Sequence, residues 1–573
     1  MRYLAFVCDY DGTLARRGRV AKETLEALEK VRASGRKLIL VTGRQLIDLA
    51  TVFPGLDVFS RVVVENGAVL YRPSTREEKV LCDPPPQPFI EALRQRQVSP
   101  LVVGHAIVAT SEPYETVVLD VIRDLGLELH VIFNKGSVMV LPAGVNKASG
   151  MAMALQDLGL SPHNAVGVGD AENDHAFLGV CECSVAVAGA LPMLKERADL
   201  VMKGDDGDGV VELCEAILRH DLREWEPALR RHEIPIGTRA NGEPWGINPY
   251  GENVLIAGPS GSGKSNLALG VLERLVEREY QFCVLDPEGD YETFQPAAAL
   301  GNKEGAPSVD EVLRVLENPK QNVVVNLVGL PLAERPAFFT GLVPRLQELR
   351  MRTGRPHRLI VDETHHLLPR SWDASSLGLL QGLHSMIYIT VQPESVAPAV
   401  LSSVDAVIVV GVSPEATMAR FREALGDRGP AMKSVTLDSG EVLVWPRRVR
   451  EGPFIIRTVP TQMERRRHRR KYAEGELPPE RSFYFLGPQG KLNLRSQNLM
   501  LFIQVGEGVD DETWMHHLGR GDYSRWIRES LKDDMLADEV AEIEHEQGVS
   551  ARESRARLKS AIERHYTLPV TPE

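Results

Sequence analysis

"AFVCDYDGTL", residues 5–14, runs from an apolar stretch into two aspartates one residue apart and then a glycine. In an extended segment side chains i and i+2 point the same way. Asp9 and Asp11 therefore leave the end of a strand together, and Gly12 permits the sharp turn that releases them. "KLILVTG" (37–43) and "AVGVGD" (165–170) are further short apolar runs ending in Gly or Asp, with helix-forming stretches such as "AKETLEALEKVRASG" (21–35) between them. This alternation predicts an α/β domain over 1–222, a parallel sheet with crossover helices. Carboxylates at the C-terminal ends of such strands stand where open α/β sheets bind ligands. The stretch from about 72 to 140 interrupts the pattern with "DPPPQP" (83–88), "HAIVATS" (105–111) and "SVMVLP" (137–142), and is expected to be an inserted α+β cap.

Three further pieces point to phosphate. "LILVTGR" ends a strand with Thr42, Gly43 and Arg44, a hydroxyl and amides suited to phosphate oxygens. "GVNKASG" offers Lys147 as a point charge, and "VGVGDAENDHAF" supplies Asp170 and Asp174, four apart and so on one helical face. Together they provide a nucleophile, an acid, hard oxygen ligands for Mg²⁺ and cationic clamps, the set phosphoryl transfer asks for.

On these motifs, in this order, residues 1 to about 220 resemble a haloacid dehalogenase (HAD) superfamily phosphatase of the Cof-like group, with a Rossmann-like core and a cap between the second and third motifs. The resemblance implies that Asp9 is the nucleophile that becomes an aspartyl phosphate and that Asp11 is the acid that serves the leaving oxygen and then water. It implies Thr42 and Lys147 as holders of the phosphoryl group. Mg²⁺ would be bound by Asp9, Asp170, the main-chain carbonyl of Asp11, and Asp174 directly or through water, with Asn173 orienting the last two carboxylates. Asn66 of "VENGA" (64–68) would face a small phosphorylated substrate.

A second phosphate site follows. "NVLIAGPSGSGKSNLALGVLERL" (253–275) carries Gly258, Gly263, Lys264 and Ser265 in the GxxxxGK[ST] pattern, after an apolar strand and before an amphipathic helix. The loop Gly258, Pro259, Ser260, Gly261, Ser262 and Gly263 would wrap the β-phosphate of ATP at the helix N-terminus. Lys264 would reach the γ-phosphate and Ser265 the Mg²⁺. In "RLIVDETHHLLP" (358–369) Asp362 would hold the metal through water and Glu363 would polarise the attacking water. Gln392, at the end of "MIYITVQPES" (386–395), would sense the γ-phosphate. His365 and His366 diverge on leaving a strand and are assigned to the nucleotide-site network or packing, not to zinc.

With "IPIGTRANGEPWGINPYG" (234–251) and "VLDPEGDY" (284–291), these features resemble the HerA branch of the HerA/FtsK superfamily of ring-forming, DNA-translocating ATPases, over about 234–457. The first domain stands where such proteins carry a β-barrel. The resemblance implies a RecA-like P-loop fold, ATP hydrolysis and a homo-oligomer up to a hexameric ring, and leaves DNA open as a partner. A ring would need an arginine from a neighbouring subunit, with Arg370, Arg420, Arg422 and Arg428 as candidates.

The rest of the chain constrains rather than defines. A junction is expected over 223–245, the ATPase domain over 246–457, a linker over 458–480 and a mainly helical accessory module over 481–573. The run "ERRRHRRK" (464–471) is taken as a solvated linker that offsets acidic excess. A net charge of −13 excludes a uniformly basic nucleic-acid coat. No apolar stretch reaches bilayer length, Asp9 breaks any signal-peptide core, and the six scattered cysteines (Cys8, Cys82, Cys181, Cys183, Cys214, Cys283) read as reduced thiols, so a cytoplasmic protein without a membrane partner is expected. Trp514 and Trp526 are expected in a core, and His516 and His517 without zinc. The whole reads as a bifunctional hydrolase. The alternatives are a polynucleotide kinase–phosphatase, which the Asp362–Glu363 pair argues against, and a nucleotide-controlled assembly scaffold.

Overall fold

The computed structural model describes residues 1–134, 136–228, 231–372, 384–427, 434–448, 451–461, 477, 479–488, 490, 492–531, 533–546 and 548–566. They fall into two compact units, Met1–Val459 and Pro460–Glu573. Arg428 and the basic run 464–471 lie outside the described residues.

The first unit contains two large sheets. In the first, strands β1 (Ala5–Cys8), β2 (Lys37–Val41), β3 (Arg61–Val64), β4 (Val69–Arg72), β5 (Glu77–Val80), β10 (Ala165–Gly169), β11 (Cys183–Ala186) and β12 (Leu200–Val201) take the order β12-β11-β10-β1-β2-β3-β4-β5. β12 through β3 are parallel, and β4 and β5 extend the edge antiparallel. "AFVC" and "AVGVG" are buried at every position, as central strands covered on both faces must be.

Between β5 and β10 the chain builds a separate antiparallel sheet from β6 (Val102–Val103), β7 (Val108–Ser111), β8 (Leu129–Asn134) and β9 (Ser137–Pro142), in the order β6-β7-β9-β8. Helices Gln87–Gln95 and Glu115–Asp124 pack Phe89, Leu93, Val118 and Val121 onto Val138 and Val140. The hairpin β4–β5 pairs with β3 and stays in the main sheet, so the elements of this cap run from 87 to 142, later than the 72–140 expected.

The second sheet has eleven strands. β15 (Val254–Ala257), β16 (Phe282–Asp286), β17 (Ala297–Leu300), β18 (Asn322–Asn326), β19 (Arg358–Val361), β20 (Met386–Thr390) and β21 (Ala406–Val410) form a parallel core in the order β21-β15-β20-β19-β16-β18-β17. β22 (Glu441–Pro446), β23 (Phe454–Thr458), β13 (Ile234–Arg239) and β14 (Pro244–Ile247) extend it antiparallel. Part of the expected junction is thus the edge hairpin β13–β14.

The two sheets meet through a buried polar joint. Glu182 accepts from Arg2, from the Tyr280 hydroxyl (2.7 Å) and pairs with His163 Nδ1 (2.8 Å). His163 Nε2 reaches the Arg278 carbonyl at 2.7 Å, and its ring stacks on Tyr280 at 3.7 Å. Arg355 donates to the Gly159 carbonyl (2.9 Å) and Asn164 to that of Gly354 (3.3 Å). These residues precede β1, β10, β11, β16 and β19, whereas Asp9, Asp170 and Asp362 follow β1, β10 and β19. Each site therefore lies at the far end of its strands from the joint.

Burial opposes ionisation of Glu182, but Arg2 and His163 outweigh it and hold the carboxyl well below the usual range. Such a depressed group contributes stability above its unfolded pKa that is lost as pH falls. Glu182→Ala removes the buried carboxylate to which Arg2 donates, and at pH 7 is expected to cost about 3–5 kcal/mol, read from urea denaturation. A loss below about 1 kcal/mol would remove the joint from the stability of this unit.

The second unit pairs β24 (Phe483–Phe485) with β25 (Leu494–Ser496) and packs helices including Leu499–Gly508, Asp511–Leu518 and Ala551–Tyr566 around an aromatic core. Trp514 and Trp526 are buried in it. His517 lies 2.9 Å from Asp522 and accepts from the Leu486 N–H at 3.1 Å, a structural role. Among the described residues no helix is long and apolar enough to cross a membrane.

Candidate active sites

Asp9 follows β1, Lys147 begins the helix Lys147–Asp157, and Asp170 follows β10. The parallel pairing of β1 with β10 aligns Cys8 with Val168, so the two aspartates emerge side by side. Carboxylate oxygens of Asp9, Asp170 and Asp174 lie within 4.8 Å of one another, all buried. Lys147 Nζ bridges Asp9 (2.5 Å) and Asp174 (2.6 Å). The second oxygen of Asp174 accepts the N–H groups of Asp170 (2.8 Å) and Ala171 (3.0 Å), and Thr13 donates to Asp170 at 3.0 Å. Gly169 is required here, since a Cβ would stand 2.7 Å from Asp174 Oδ2.

Burial, reinforced by Asp174, pushes the Asp9 carboxyl up to about 8, against the pull of Lys147. Burial alone would discharge Lys147, but Asp174 and Asp9 raise it instead. Three buried hard-oxygen donors around one point fit a divalent cation of the Mg²⁺ kind. A raised carboxyl stabilises the metal-free protein at low pH and loses that contribution as pH rises toward about 8. A cation must displace the proton, so the rise in Tm on adding Mg²⁺ should be larger at about pH 8.5 than at about pH 6. Equal gains at both would contradict this.

Thr42 is buried beyond β2, and its Oγ1 accepts from the Arg44 N–H at 3.2 Å. The Asp11 carboxylate is gripped by Arg44 through two bonds of 2.6 and 2.8 Å, and Arg44 also holds Asp48. Asn173, expected to orient the last two carboxylates, turns its amide nitrogen to another amide. Its amide donates to Asn66 at 3.3 Å, because the backbone N–H groups of the 170–174 turn already fix Asp174. The Nδ2 of Asn66 and Oδ1 of Asn173 are buried without a hydrogen-bond partner among the described residues.

At the second site Gly261 and Gly263 take φ of 74° and 102° around the helix start at Lys264. Lys264 Nζ rests on the Pro259 carbonyl at 2.8 Å. Burial lowers its pKa, opposed by Glu363, Asp362, Glu288 and Asp290. β20 lies between the strand of the loop, β15, and that of the acids, β19. Gln392 therefore leaves the sheet between Lys264 and Asp362, although its Oε1 is taken by Ser395 (3.1 Å).

Burial pushes Asp362 up to about 8 and raises Glu363. Glu363 sits at φ 38°, and its Oε2 is buried, 3.3 Å from His365 Nδ1 without hydrogen-bond geometry. Burial brings His365 down to about 4, a neutral ring against Thr390 (3.1 Å), while His366 faces Arg335. The sequence singled out none of the three acids of "VLDPEGDY". Asp286 accepts from the N–H groups of residues 288–291, and the loop so held sets Asp290 against Ser265 (3.2 Å). Ser265, Asp290 and Asp362 supply oxygen donors suited to a cation beside a bound triphosphate.

His163, Glu182 and His232 also converge. Arg2, Tyr280 and the Arg278 carbonyl already engage Glu182 and His163, so this group belongs to the joint.

A family model described as haloacid dehalogenase-like hydrolase matches residues 6–117 and 107–213, and one described as the central domain of helicase HerA matches 248–340. The phosphoglycolate phosphatase of Methanothermobacter thermautotrophicus is 30% identical over 217 residues, which cover 36% of this chain and 96% of that relative. Phosphoglycolate phosphatase 2 of Saccharolobus solfataricus is 29% identical over 219 residues, 37% of this chain and 90% of that one. A crystal structure of a haloacid dehalogenase-like hydrolase from Bacteroides thetaiotaomicron aligns with TM-score 0.34 and 19% identity, covering 38% of this chain and 99% of that one. Through its first 220 or so residues the chain belongs to the haloacid dehalogenase-like hydrolases, and there follows a domain of the HerA type.

Proposed function

We propose that the N-terminal domain is a Mg²⁺-dependent phosphomonoesterase. The observation that carries this is the buried convergence of Asp9, Asp170, Asp174 and Lys147 at the strand ends. Asp9 attacks phosphorus while the bond to the leaving oxygen breaks, and Asp11 gives that oxygen its proton. Water then attacks the aspartyl phosphate, Asp11 takes the water proton, and the bond to Asp9 breaks. Arg44 holds Asp11 until then, so substrate must draw the carboxyl from that pair. Lys147 and Thr42 position the phosphoryl oxygens. Bound Mg²⁺ neutralises their charge. The relatives' name makes phosphoglycolate the first substrate to test. Release of inorganic phosphate from it or from an aryl phosphate, lost in EDTA and restored by Mg²⁺, is the expected result. Turnover indifferent to EDTA would sink the assignment.

The second domain is read as an ATP hydrolase in which Lys264 holds the terminal phosphates and Glu363 orients water. It is expected to assemble into a homo-oligomer, with DNA as a candidate ligand. Arg420 and Arg422 are paired within the chain to Glu394 and Asp427, whereas Arg370 is exposed and makes no ion pair among the described residues. Arg370 is therefore the first candidate for a trans-acting cation. Sizing with ATP at micromolar protein should show an oligomer, and a monomer throughout would argue against it.

A further inference from the structure

Two consecutive residues other than glycine, Glu65 and Asn66, sit in the left-handed region at φ 51° and 55°. Backbone of that kind persists only where its surroundings over-determine it, and it gathers at functional sites. Here the surroundings are the phosphate loop. The N–H of Glu65 donates to the Arg44 carbonyl (2.9 Å) and that of Asn66 to the Thr42 carbonyl (3.0 Å). The Glu65 carboxylate is carried away from this loop to the cap. It is 1% exposed and accepts the N–H groups of His105 (2.9 Å), Ala106 (2.9 Å) and Ile107 (3.1 Å).

Residues 104–107 are the tip of the β6–β7 hairpin, closed by Gly104 N–H to the Ile107 carbonyl at 2.8 Å. A buried carboxylate ordinarily finds a cation. Among the described residues this one forms no ion pair, and only backbone donors meet it. Gly104 permits the approach, since a Cβ there would lie 2.6 Å from both carboxylate oxygens. The cap is also seated at the loop itself, where Met139 Sδ would lie 3.5 Å from a Cβ on Gly43.

We propose that Glu65 is the latch that holds the cap closed over the Asp9 site. It is a positioning residue, acting through the hairpin on retention of a small phosphorylated substrate, and this rests on the phosphatase reading above. Opening breaks three hydrogen bonds to one carboxylate and wets it, and closing restores them. Because the same turn is tied to Thr42 and Arg44, closure and the phosphate loop are joined through one residue. The sequence alone does not reveal this, since Glu65 and residues 105–107 are about 40 positions apart.

The test uses the full chain as wild type, Glu65→Ala, Glu65→Gln and Gly104→Ala. Amide hydrogen exchange is followed over 101–110, and kcat and KM are measured with an aryl phosphate and Mg²⁺. Glu65→Ala and Gly104→Ala are each expected to speed exchange at 105–107 and to lower kcat/KM, both about tenfold, with the loss mainly in KM. Glu65→Gln, which keeps one acceptor oxygen, should fall between. Unchanged exchange in both Glu65→Ala and Gly104→Ala overturns the proposal, as does faster exchange with kcat/KM within about twofold of wild type. If the wild type hydrolyses no phosphomonoester, the phosphatase reading fails, and unchanged or faster exchange still decides whether Glu65 holds the hairpin.

Discussion

Asp9→Asn is expected to abolish phosphomonoester hydrolysis, with kcat falling by at least about 10⁴-fold, as when a covalent nucleophile is removed elsewhere. Asparagine keeps the shape of the site but can neither attack phosphorus nor carry charge toward a cation. Asp9 is also one of the two carboxyl groups that Lys147 bridges, so the substitution leaves the ammonium with Asp174 as its carboxylate partner. Because burial already pushes the Asp9 carboxyl up to about 8, a neutral amide there should not weaken the metal-free fold at neutral pH. Lost phosphatase turnover with an unchanged Tm and unchanged ATP turnover is the expected pattern. Residual phosphatase activity above a tenth of wild type would take Asp9 out of its role.

Glu363→Gln is expected to lower ATP turnover by about 10²–10⁴-fold, the range for loss of a general base. The amide fits the same space and retains an acceptor, so nucleotide binding should persist. Glu363 sits at strained φ, with a buried oxygen that has no hydrogen-bond partner among the described residues, beside Lys264 and Asp362. At Asp362, by contrast, Oδ1 accepts the Glu363 N–H at 2.8 Å. Binding of a fluorescent ATP analogue together with phosphate release separates the two functions. Wild-type turnover in this variant would mean that water is oriented by another group, and loss of binding would mean that Glu363 is structural.

Much of both sites was legible locally. The aspartates of "DYDGT" and "GDAEND" and the lysines of "GVNKASG" and "GPSGSGKS" each end a strand or begin a helix, and apolar runs made those ends visible. The convergence of Asp9 with Asp170 needs only that β1 and β10 be parallel and adjacent. Other features stayed hidden because they depend on pairing between distant segments. The grip of Arg44 on Asp11 arises from two neighbouring strands, and the placement of Gln392 from β20 lying between β15 and β19. Asn173 turns to Asn66 because a turn elsewhere brings the second amide within reach.

The order of short buried strands and amphipathic helices, with acids, lysines and glycines at their ends, was settled by the chain itself, since periodicity and turn chemistry act over a few residues. The back-to-back joint of the two sheets through Glu182, His163 and Tyr280, and the seating of the cap hairpin on Glu65, were decided only by the tertiary fold. Both rest on buried polar groups finding partners remote in sequence, and a buried carboxylate is satisfied by whatever donors the packing delivers, which no local pattern encodes.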